Sequence, residues 1–407
     1  MSQPLDLATL QAPSAASTSF KDAWQARLER WYAHPGLYRW SLGNPFTRWL
    51  TQRRTRKLFD LMAGFVHSQV LLGCVRLDLF RTLHQAPTPL TDLAQRTGLA
   101  PAVLQRLLLS AVALGLLEHR SQGRFGLGPL GVPLAQHDGI AQMIEHNHLL
   151  YQDMQDPLQF LNNAWSGGMA EYWPYAHEKP AVAMPASEVD KFTRYSHLMA
   201  ASQGFVVQEI LSSYFFDEHR CVLDVGAGKG RFVSELAAHA PHLKFKMFDL
   251  PPVLALAREG LQAKGLTERV DLHPGSFLDD PLPEGADLIT LVRVAHDHPD
   301  AVVRQILQKA FAALPLGGVL LLAEPMAQPE EEAGQPEASV DAYFHFYLLA
   351  MGAGRLRTPQ ELQTMMEEAG FTHLEQVPNA MPIHARILVG RKSQCLPLVP
   401  EKYVNSH

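Results

Sequence analysis

The chain has few cysteines, no excess of positive charge and no long uninterrupted apolar run, and each absence excludes a class of protein. The three cysteines, Cys74, Cys221 and Cys395, are too few and too far apart for a metal-ligand motif, so no metal site is predicted. A formal net charge of -6 gives no general attraction to nucleic acid or to an anionic membrane. No run reaches about 18 uninterrupted apolar residues, so the sequence predicts no membrane-spanning segment.

The first residues, MSQPLDLATLQAPSAAS, have neither the basic start nor the apolar core of a signal peptide. Together with the sparse cysteines, this predicts a cytoplasmic protein in a reducing compartment. The 407 residues are 47% hydrophobic and 19% charged, which is typical of a globular protein with about two to three domains. We expect an N-terminal extension over 1–57, a helical domain over 58–205, an α/β domain over 206–393 and a tail over 394–407.

The extension combines aromatic and basic residues in an unusual density. Trp24, Trp31, Trp40 and Trp49 lie among many arginines, and the basic run RWLTQRRTRKLFD follows. One interpretation is an exposed, arginine-rich helix face that leads into the first domain. The other is a surface patch that makes peripheral contact with an anionic membrane or with a partner.

The segment after the extension has the pattern of a winged helix. Gly98 ends a short helix, Pro101 starts a second one, and an extended, glycine-bounded stretch follows. A helix that reads DNA needs polar side chains for phosphates and base edges, but 101–117 offers only Gln105 and Arg106 among many leucines and valines. Packing or dimerisation is therefore favoured over a DNA-binding regulator, which remains the alternative of another class.

The C-terminal half alternates short β-rich runs with helical stretches, which indicates a doubly wound, mostly parallel sheet. The predicted strands lie in 221–225, 245–250, 269–274, 286–294, 317–325 and 385–390. The predicted helices lie at 230–239, 253–264, 300–313 and 359–369.

A glycine-rich turn follows the first of these strands. Asp224 precedes the run Gly226, Gly228 and Gly230, where the chain can turn sharply and a ligand can approach bare backbone. A phosphate-binding loop would need Ser or Thr after Lys229, and a dinucleotide fingerprint would need glycine at the next position, so neither motif fits. A purely structural turn is the remaining alternative.

Asp249 ends the second strand, where an acid can accept hydrogen bonds from both hydroxyls of an adenosine ribose. Its alternative role is a helix cap ahead of Pro251. The acid together with the glycine turn favours S-adenosyl-L-methionine over NAD as the cofactor.

The fourth strand is followed by AHDHPD, at the sheet edge where ligands bind in open α/β folds. His296 can act there as a general base, because a histidine pKa lies near the working pH. His298 is interpreted as a packing residue, and Asp300 as a candidate cap for the next helix.

Residues 90–391 resemble the small-molecule O-methyltransferases with a winged-helix dimerisation domain, which include plant phenol and acetylserotonin methyltransferases. The shared runs are VLDVGAGKG, FDLPPV, GSFLDDPLP, LVRVAHDHPD, GGVLLLAEP and TPQELQTMMEEAGF. The resemblance implies a homodimer and a Rossmann-like class I methyltransferase domain with a seven-stranded, mostly parallel sheet. It also implies that His296 removes the acceptor proton, that Glu324 orients it, and that Arg293, Ser276 and Phe277 contact the cofactor.

Two positions depart from the family pattern. Leu356 precedes Arg357 where many members have an acid, which predicts that the base lacks a second carboxylate partner. Ser276 follows Gly275 where an aspartate is usual, so the adenine contact is expected to differ.

Within the family, the runs RRTRKLFDLMAGFVHSQVLLGCVRLDLF and LVRVAHDHPD are most similar to bacterial carotenoid methyltransferases that act on hydroxyneurosporene and demethylspheroidene. The resemblance implies an apolar acceptor with a tertiary hydroxyl. The aromatic, Leu- and Met-rich segment 340–366 is then either an apolar tunnel or ordinary helical core. A bacteriochlorophyll precursor and a phenol remain alternative acceptors.

Overall fold

The computed structural model describes residues 20–32, 34–163, 167–172, 203–328, 338–382 and 385–393. The predicted tail and much of the predicted helical stretch before 203 lie outside these residues. The chain divides into two units, Met1–Gly73 and Cys74–His407.

The first unit is helical. It contains α1 (Phe20–Tyr32), α2 (Pro35–Gly43) and most of α3 (Pro45–Arg76). The Asn44 side chain accepts a hydrogen bond from the Phe46 amide at 3.0 Å, which satisfies one of the unpaired donors at the start of α3. By its length and apolar composition, α3 meets the criterion for a helix that can cross a membrane, a criterion that long helices packed against other protein also meet.

The second unit begins with the winged helix. Its elements are α4 (Leu79–Gln85), β1 (Thr88–Pro89), α5 (Leu90–Thr97), α6 (Pro101–Ala113), β2 (Leu117–Arg120) and β3 (Arg124–Leu127). The strands form an antiparallel sheet in the order β1-β3-β2. Gly98 ends α5 at a φ of 70°, as the sequence predicted.

The predicted helix over 101–117 is too long. It ends at Ala113 because Gly115 takes a φ of 72°, and Leu117 already belongs to β2. The helix is also not buried all round: Leu104 and Leu108 pack inside, whereas Val103 and Leu109 are exposed.

Between the winged helix and residue 172, the described part of the chain contains four helices. They are α7 (Val132–Gln136), α8 (Asp138–Asp153), α9 (Pro157–Asn163) and α10 (Gly168–Tyr172). The carboxylate of Asp153 accepts hydrogen bonds from the amides of Gly168 and Met169 at 2.7 and 2.8 Å, which ties the end of α8 to the start of α10.

The last part is a doubly wound α/β domain. Its helices are α11 (Gly204–Ser213), α12 (Arg231–His239), α13 (Pro251–Ala263), α14 (Asp300–Ala313), α15 (Ala338–Met351) and α16 (Pro359–Glu368). Its strands are β4 (Cys221–Val225), β5 (Lys244–Asp249), β6 (Val270–Pro274), β7 (Leu288–Val292), β8 (Val319–Glu324), β9 (Thr372–Val377) and β10 (Arg386–Arg391).

These strands form one seven-stranded sheet in the order β6-β5-β4-β7-β8-β10-β9. All neighbouring pairs are parallel except the two made by β10, which confirms the predicted sheet. The chain reverses its direction of winding between β4 and β7, so a crevice is expected beyond the carboxyl ends of these strands. Strands β7 and β8 are buried along their whole length, since helices cover both faces.

Candidate active site

The glycine turn after β4 exposes the main chain at the place where the winding of the sheet reverses, between β4 and β7. Gly226, Gly228 and Gly230 have φ angles of 70°, 55° and 73°, a region that other residues rarely adopt. A Cβ added to Gly226 would lie 2.7 Å from a methyl carbon of Val294, whereas open space surrounds the same position at Gly228. A ligand can therefore approach the chain closely at Gly228.

Asp249 stands beside this turn and is already held by two amides. Its Oδ2 accepts a hydrogen bond from the Gly228 N–H and its Oδ1 accepts one from the Leu250 N–H, each at 2.7 Å. Burial raises the pKa of Asp249 to about 6. Because a carboxylate oxygen has more than one acceptor position, both oxygens can still accept hydroxyl donors.

Asp224 is buried at the end of β4. It accepts a hydrogen bond from the Thr290 hydroxyl at 2.7 Å, and burial, followed by the charge of Asp249, raises its pKa to about 7. Two buried acids next to an open glycine turn favour a cationic ligand that carries hydroxyl donors. Adenosylmethionine has both properties, so these residues fit that cofactor.

Arg293 links the glycine turn to the predicted base. Its φ of 58° lies in the left-handed region, at a cost of roughly 1–3 kcal/mol for a residue with a side chain. The strained conformation persists because the Arg293 amide donates to the Ala323 carbonyl at 2.8 Å. The chain bends there, directly before Val294, which packs on Gly226, and before His296.

His296 and Glu324 form a buried pair beyond the ends of β7 and β8, with only 4% and 1% of their side chains exposed. The His296 Nδ1 lies 2.6 Å from the Glu324 Oε2. The other carboxylate oxygen, Oε1, accepts the amides of Val294 and Ala295, each at 2.7 Å. Glu324 therefore fixes both the ring and the backbone of the loop that carries it.

A second carboxylate faces the other ring nitrogen. The His296 Nε2 lies 3.2 Å from Asp297 Oδ1, so the prediction of a base with one carboxylate partner is wrong. A neutral imidazole has one N–H and can donate to only one of the two carboxylates, whereas the imidazolium donates to both. The imidazolium that forms when a base takes up a proton would therefore have a carboxylate partner at each ring nitrogen.

Arg357 stabilises the loop that carries His296 through hydrogen bonds to its backbone. Its side chain is 2% exposed and donates to the carbonyls of Ala295 and His298 at 2.8 and 2.7 Å, and to Asp300 Oδ1. Asp300 is the first residue of α14 and not its cap, since Pro299 occupies the cap position. A hydrogen bond from the Arg355 side chain, together with Arg357, lowers the pKa of Asp300 to about 2.

The backbone of Gly354 and Arg355 also contacts the loop that carries His296. The Arg355 amide donates to the His296 carbonyl at 3.0 Å. Gly354 has a φ of 80°, and a Cβ added there would overlap the same carbonyl oxygen. The segment after α15 therefore packs directly on the backbone of the predicted base.

A small pocket with a mostly apolar lining lies beside Phe344, whose ring contacts His296. The Phe344 ring stands perpendicular to the imidazole, with 6.4 Å between centroids. The pocket is lined by Pro325, Met326, Gln328, Val340, Asp341, Phe344, Leu356 and Pro382. Leu356, at the position where an acid was expected from the family pattern, is thus buried in an apolar wall.

Only part of segment 340–366 lines the pocket beside Phe344. Met365 and Met366 pack in the hydrophobic core, which is the ordinary-core alternative for these two residues. Tyr347, Leu348 and Met351 pack with α8, α9 and α10 in an apolar cluster that also contains Leu356 and contacts Phe344.

One buried and one half-buried polar pair hold α8 against α15. The Tyr343 hydroxyl donates to Asn147 Oδ1 at 2.9 Å, and His146 Nε2 lies 3.2 Å from the Tyr347 hydroxyl. Burial raises the pKa of Tyr343 to about 12 and lowers that of His146 to about 4, so both groups are neutral near pH 7. The pairs position Phe344, which lies between them on α15.

Ser276 and Phe277 follow β6 in a compact turn. The Ser276 amide donates to Asp280 Oδ2 at 2.8 Å, and its hydroxyl accepts from the Leu278 amide at 3.2 Å. The Phe277 ring stands perpendicular to the His298 ring at 5.1 Å. Burial lowers the pKa of His298 to about 4, so this histidine is neutral and its contact supports the packing interpretation.

Two residues of the site, Asp297 and Arg357, were given no role from the sequence. Asp297 was noted at the sheet edge but given no role, although its place next to His296 was a signal. Arg357 acts through contacts with residues about 60 positions away in the chain, which no local pattern reveals, whereas Phe344 belongs to the segment for which an apolar tunnel was one alternative.

The sheet order, the glycine turn and the acid at the end of the second strand define the class I methyltransferase fold. The structure is similar to that of human N-acetylserotonin methyltransferase in complex with SAM, with a TM-score of 0.68 at 22% identity over 84% of this chain and 98% of that one. The family model for the O-methyltransferase domain matches residues 151–372, and that for the O-methyltransferase dimerisation domain matches residues 59–137. The chain therefore belongs to the O-methyltransferase family.

Relatives with assigned names match over most of the chain. Demethylspheroidene O-methyltransferase of Rhodobacter capsulatus is 40% identical over 84% of this chain and 84% of its own length. The enzyme of the same name from Cereibacter sphaeroides is 38% identical over 83% of this chain and 87% of its own. Acetylserotonin O-methyltransferase of Mus musculus is 27% identical over 82% of this chain and 88% of its own.

Proposed function

We propose that this O-methyltransferase methylates a tertiary hydroxyl of an acyclic carotenoid of the hydroxyneurosporene or demethylspheroidene type. The methyl donor is S-adenosyl-L-methionine, whose sulfonium supplies an electrophilic methyl group when it is bound. The observation that carries the proposal is the buried pair of His296 and Glu324, whose imidazole contacts Phe344 in the mostly apolar lining of a small pocket. The names of the two relatives at about 40% identity support the carotenoid.

His296 acts as the general base in this proposal. An aliphatic alcohol is too weak an acid to ionise beforehand, so the proton would move to Nε2 as the new carbon–oxygen bond forms and the methyl–sulfur bond of the donor breaks, which leaves a neutral thioether. Glu324 stabilises the imidazolium through Nδ1, and Asp297 accepts the new N–H in place of the substrate oxygen. The apolar wall excludes water, and alignment of the two reactants supplies much of the rate.

The cofactor lies across the carboxyl ends of β4 and β5 in this proposal. Asp249 accepts the ribose hydroxyls, Gly226 and Gly228 offer bare backbone, and Asp224 faces the cationic end. The strained Arg293 and the turn of Ser276 and Phe277 border the same crevice at the ends of β7 and β6.

The family's dimerisation domain supports a homodimer in which the winged helix serves assembly and not DNA binding. We further propose that the helical domain spans 58–205 and the catalytic domain 206–393. A cytoplasmic enzyme in peripheral contact with a membrane suits an acceptor that is as apolar as a carotenoid.

The test is incubation of the purified enzyme with labelled methyl donor and a panel of acceptors, followed by chromatography. The panel holds hydroxylated acyclic carotenoids, a bacteriochlorophyll precursor and simple phenols. Label in a carotenoid ether supports the proposal. Label confined to either of the other two classes would reassign the acceptor while leaving the O-methyltransferase activity in place.

A further inference from the structure

The helices of residues 20–57 present an exposed surface that the O-methyltransferase family models do not cover, since the first match begins at residue 59. On α1, Phe20, Trp24 and Trp31 are 87%, 56% and 55% exposed. Their spacing of four and seven residues puts them on one side of the helix. They form an apolar stripe along α1.

Exposed aromatic and apolar side chains also occur on the next two helices. Trp40 on α2 is exposed, and so are Phe46, Trp49 and Leu50 at the start of α3. The Arg53 guanidinium lies over the Trp49 ring, 5.5 Å from its centroid, so aromatic and basic groups are interleaved. We call the exposed aromatic and basic side chains of residues 20–57 the tryptophan–arginine surface.

The charge of this segment is opposite to that of the chain. Residues 20–57 contain nine Lys and Arg but only two acidic residues, a net of +7, whereas the whole chain carries -6. The basic residues are Lys21, Arg27, Arg30, Arg39, Arg48, Arg53, Arg54, Arg56 and Lys57. Such a surface repels a second copy of itself and attracts a polyanion.

We propose that the tryptophan–arginine surface docks on an anionic lipid bilayer. Tryptophan rings are enriched at the headgroup level of membranes, where one part of the ring meets acyl chain and the N–H meets water. Arginine pairs with lipid phosphate through its planar fork of donors. Exposed Phe20 and Phe46 add apolar area that a nucleic acid would leave in water, which favours lipid as the occupant.

The proposal describes a helix surface that lies on the membrane and not a span. The first half of α3 carries Arg48, Arg53, Arg54, Arg56 and Lys57, which are costly to place in hydrocarbon. The inference is independent of the proposed acceptor, because docking requires no methyl transfer.

The experiment is flotation of the purified full-length protein with two kinds of vesicle. One is phosphatidylcholine alone, and the other contains about 30% phosphatidylglycerol to supply negative surface charge. We expect binding to the anionic vesicles at least about tenfold stronger, and release when salt is raised from about 50 to about 500 mM. Equal binding to both vesicles, or retention at high salt, would overturn the proposal and the latter would indicate a span.

Two variants separate charge from aromatic contact. R53Q/R54Q/R56Q/K57Q should weaken anionic-vesicle binding about tenfold or more. W24S/W31S/W40S/W49S should also lose binding, because charge alone does not insert into the headgroup layer. Wild-type affinity in either variant contradicts the proposal.

Matched controls come from exposed residues of the α/β domain. R220Q/K244Q/R258Q/K264Q removes four cations, and F215S/L316S removes exposed apolar side chains; both should bind vesicles like the wild type. Circular dichroism checks the fold of each variant. A gel shift with an RNA or DNA oligomer completes the set, and tight nucleic-acid binding without vesicle binding would overturn the lipid assignment.

Discussion

At the residue scale, the two carboxylates next to His296 are fixed to different degrees. Glu324 accepts two backbone amides as well as the ring nitrogen, while Asp297 reaches Nε2 from the same short loop. Glu324 thus sets the orientation of the ring, and Asp297 is the group that can yield its place to a substrate hydroxyl.

Replacement of His296 by alanine should remove most of the turnover. A general base contributes about 10² to 10⁴-fold, and the cofactor residues lie on other strands, so binding of adenosylmethionine should persist. Labelled methyl transfer and calorimetry measure the two effects. His84→Ala, at an exposed site on α4, is the control, and unchanged turnover in His296→Ala would remove this residue from the mechanism.

Replacement of Glu324 by glutamine tests the orienting role. The amide nitrogen of glutamine cannot accept, so either a backbone N–H or the His296 N–H loses its partner. We expect turnover to fall by about 10²-fold and the free energy of unfolding by about 1–3 kcal/mol. Thermal melts and kinetics check this against Glu367→Gln, an exposed change on α16; a variant as stable and active as the control would contradict the assignment.

The raised pKa of Asp249 predicts a pH dependence of cofactor binding. The native protein retains a proton that the unfolded chain loses between its ordinary pKa of 3.8 and about 6, so this group costs stability as pH rises through that window. In the proposed binding mode, ionised Asp249 is the form that accepts hydrogen bonds from both ribose hydroxyls. Calorimetric affinity for adenosylmethionine should therefore weaken as pH falls below about 6, whereas Asp249→Asn should bind weakly at every pH.

The sequence could supply the candidate residues of the site but not their mutual contacts. Asp224, Asp249 and His296 follow predicted strands, and parallel strands bring their carboxyl ends to one edge. The position of Asp297 next to the His296 Nε2 depends on the turn that the chain makes at Arg293, which has a positive φ. That strained conformation is held by a backbone hydrogen bond to Ala323, a residue distant in the sequence.

At the element scale, six of the seven strands could be predicted because both faces or one face of each is apolar. Strand β9 could not: THLEQV is mostly polar and exposed, since it lies at the sheet edge and pairs only with β10. Edge strands bury little, so their sequence keeps a weak hydrophobic signal. The end of α6 was also misplaced, because leucines continue past Gly115 into β2.

The loop between β7 and α14 should lose rigidity when Arg357 becomes lysine. A single ammonium cannot replace the guanidinium contacts with Ala295, His298 and Asp300. We expect a loss of about 3 kcal/mol in the free energy of unfolding and a lower turnover with cofactor affinity retained. Denaturant unfolding and kinetics measure this against Arg258→Lys on α13; wild-type stability would mean that these hydrogen bonds contribute little.

At the scale of the whole molecule, α3 continues from the tryptophan–arginine surface into the segment matched by the dimerisation family model. Phe59, Met62 and Val66 are exposed along this segment at helical spacing. Because the matched domain is a dimerisation domain, we expect these apolar side chains to contact a second copy of the chain.

Substitution of Met62 by glutamate should therefore weaken the dimer. A charge placed in an apolar interface is left without a partner, and the dissociation constant should rise by about tenfold or more. Sedimentation equilibrium measures this, with Gln52→Glu as a control at an exposed polar position of the same helix. An unchanged dimer in Met62→Glu would place the interface elsewhere.

The fastening of Gly354 and Arg355 to the His296 carbonyl has a consequence for how such enzymes diversify. The helix that shapes the acceptor pocket, α15, ends just before this fastening, so its inward side chains can change while the anchor stays in place. A library that randomises Val340, Phe344 and their neighbours but retains residues 354–358 would test new methyl acceptors while the position of His296 stays unchanged. Substitutions in the same helix during evolution could change the enzyme's specificity from one apolar alcohol to another.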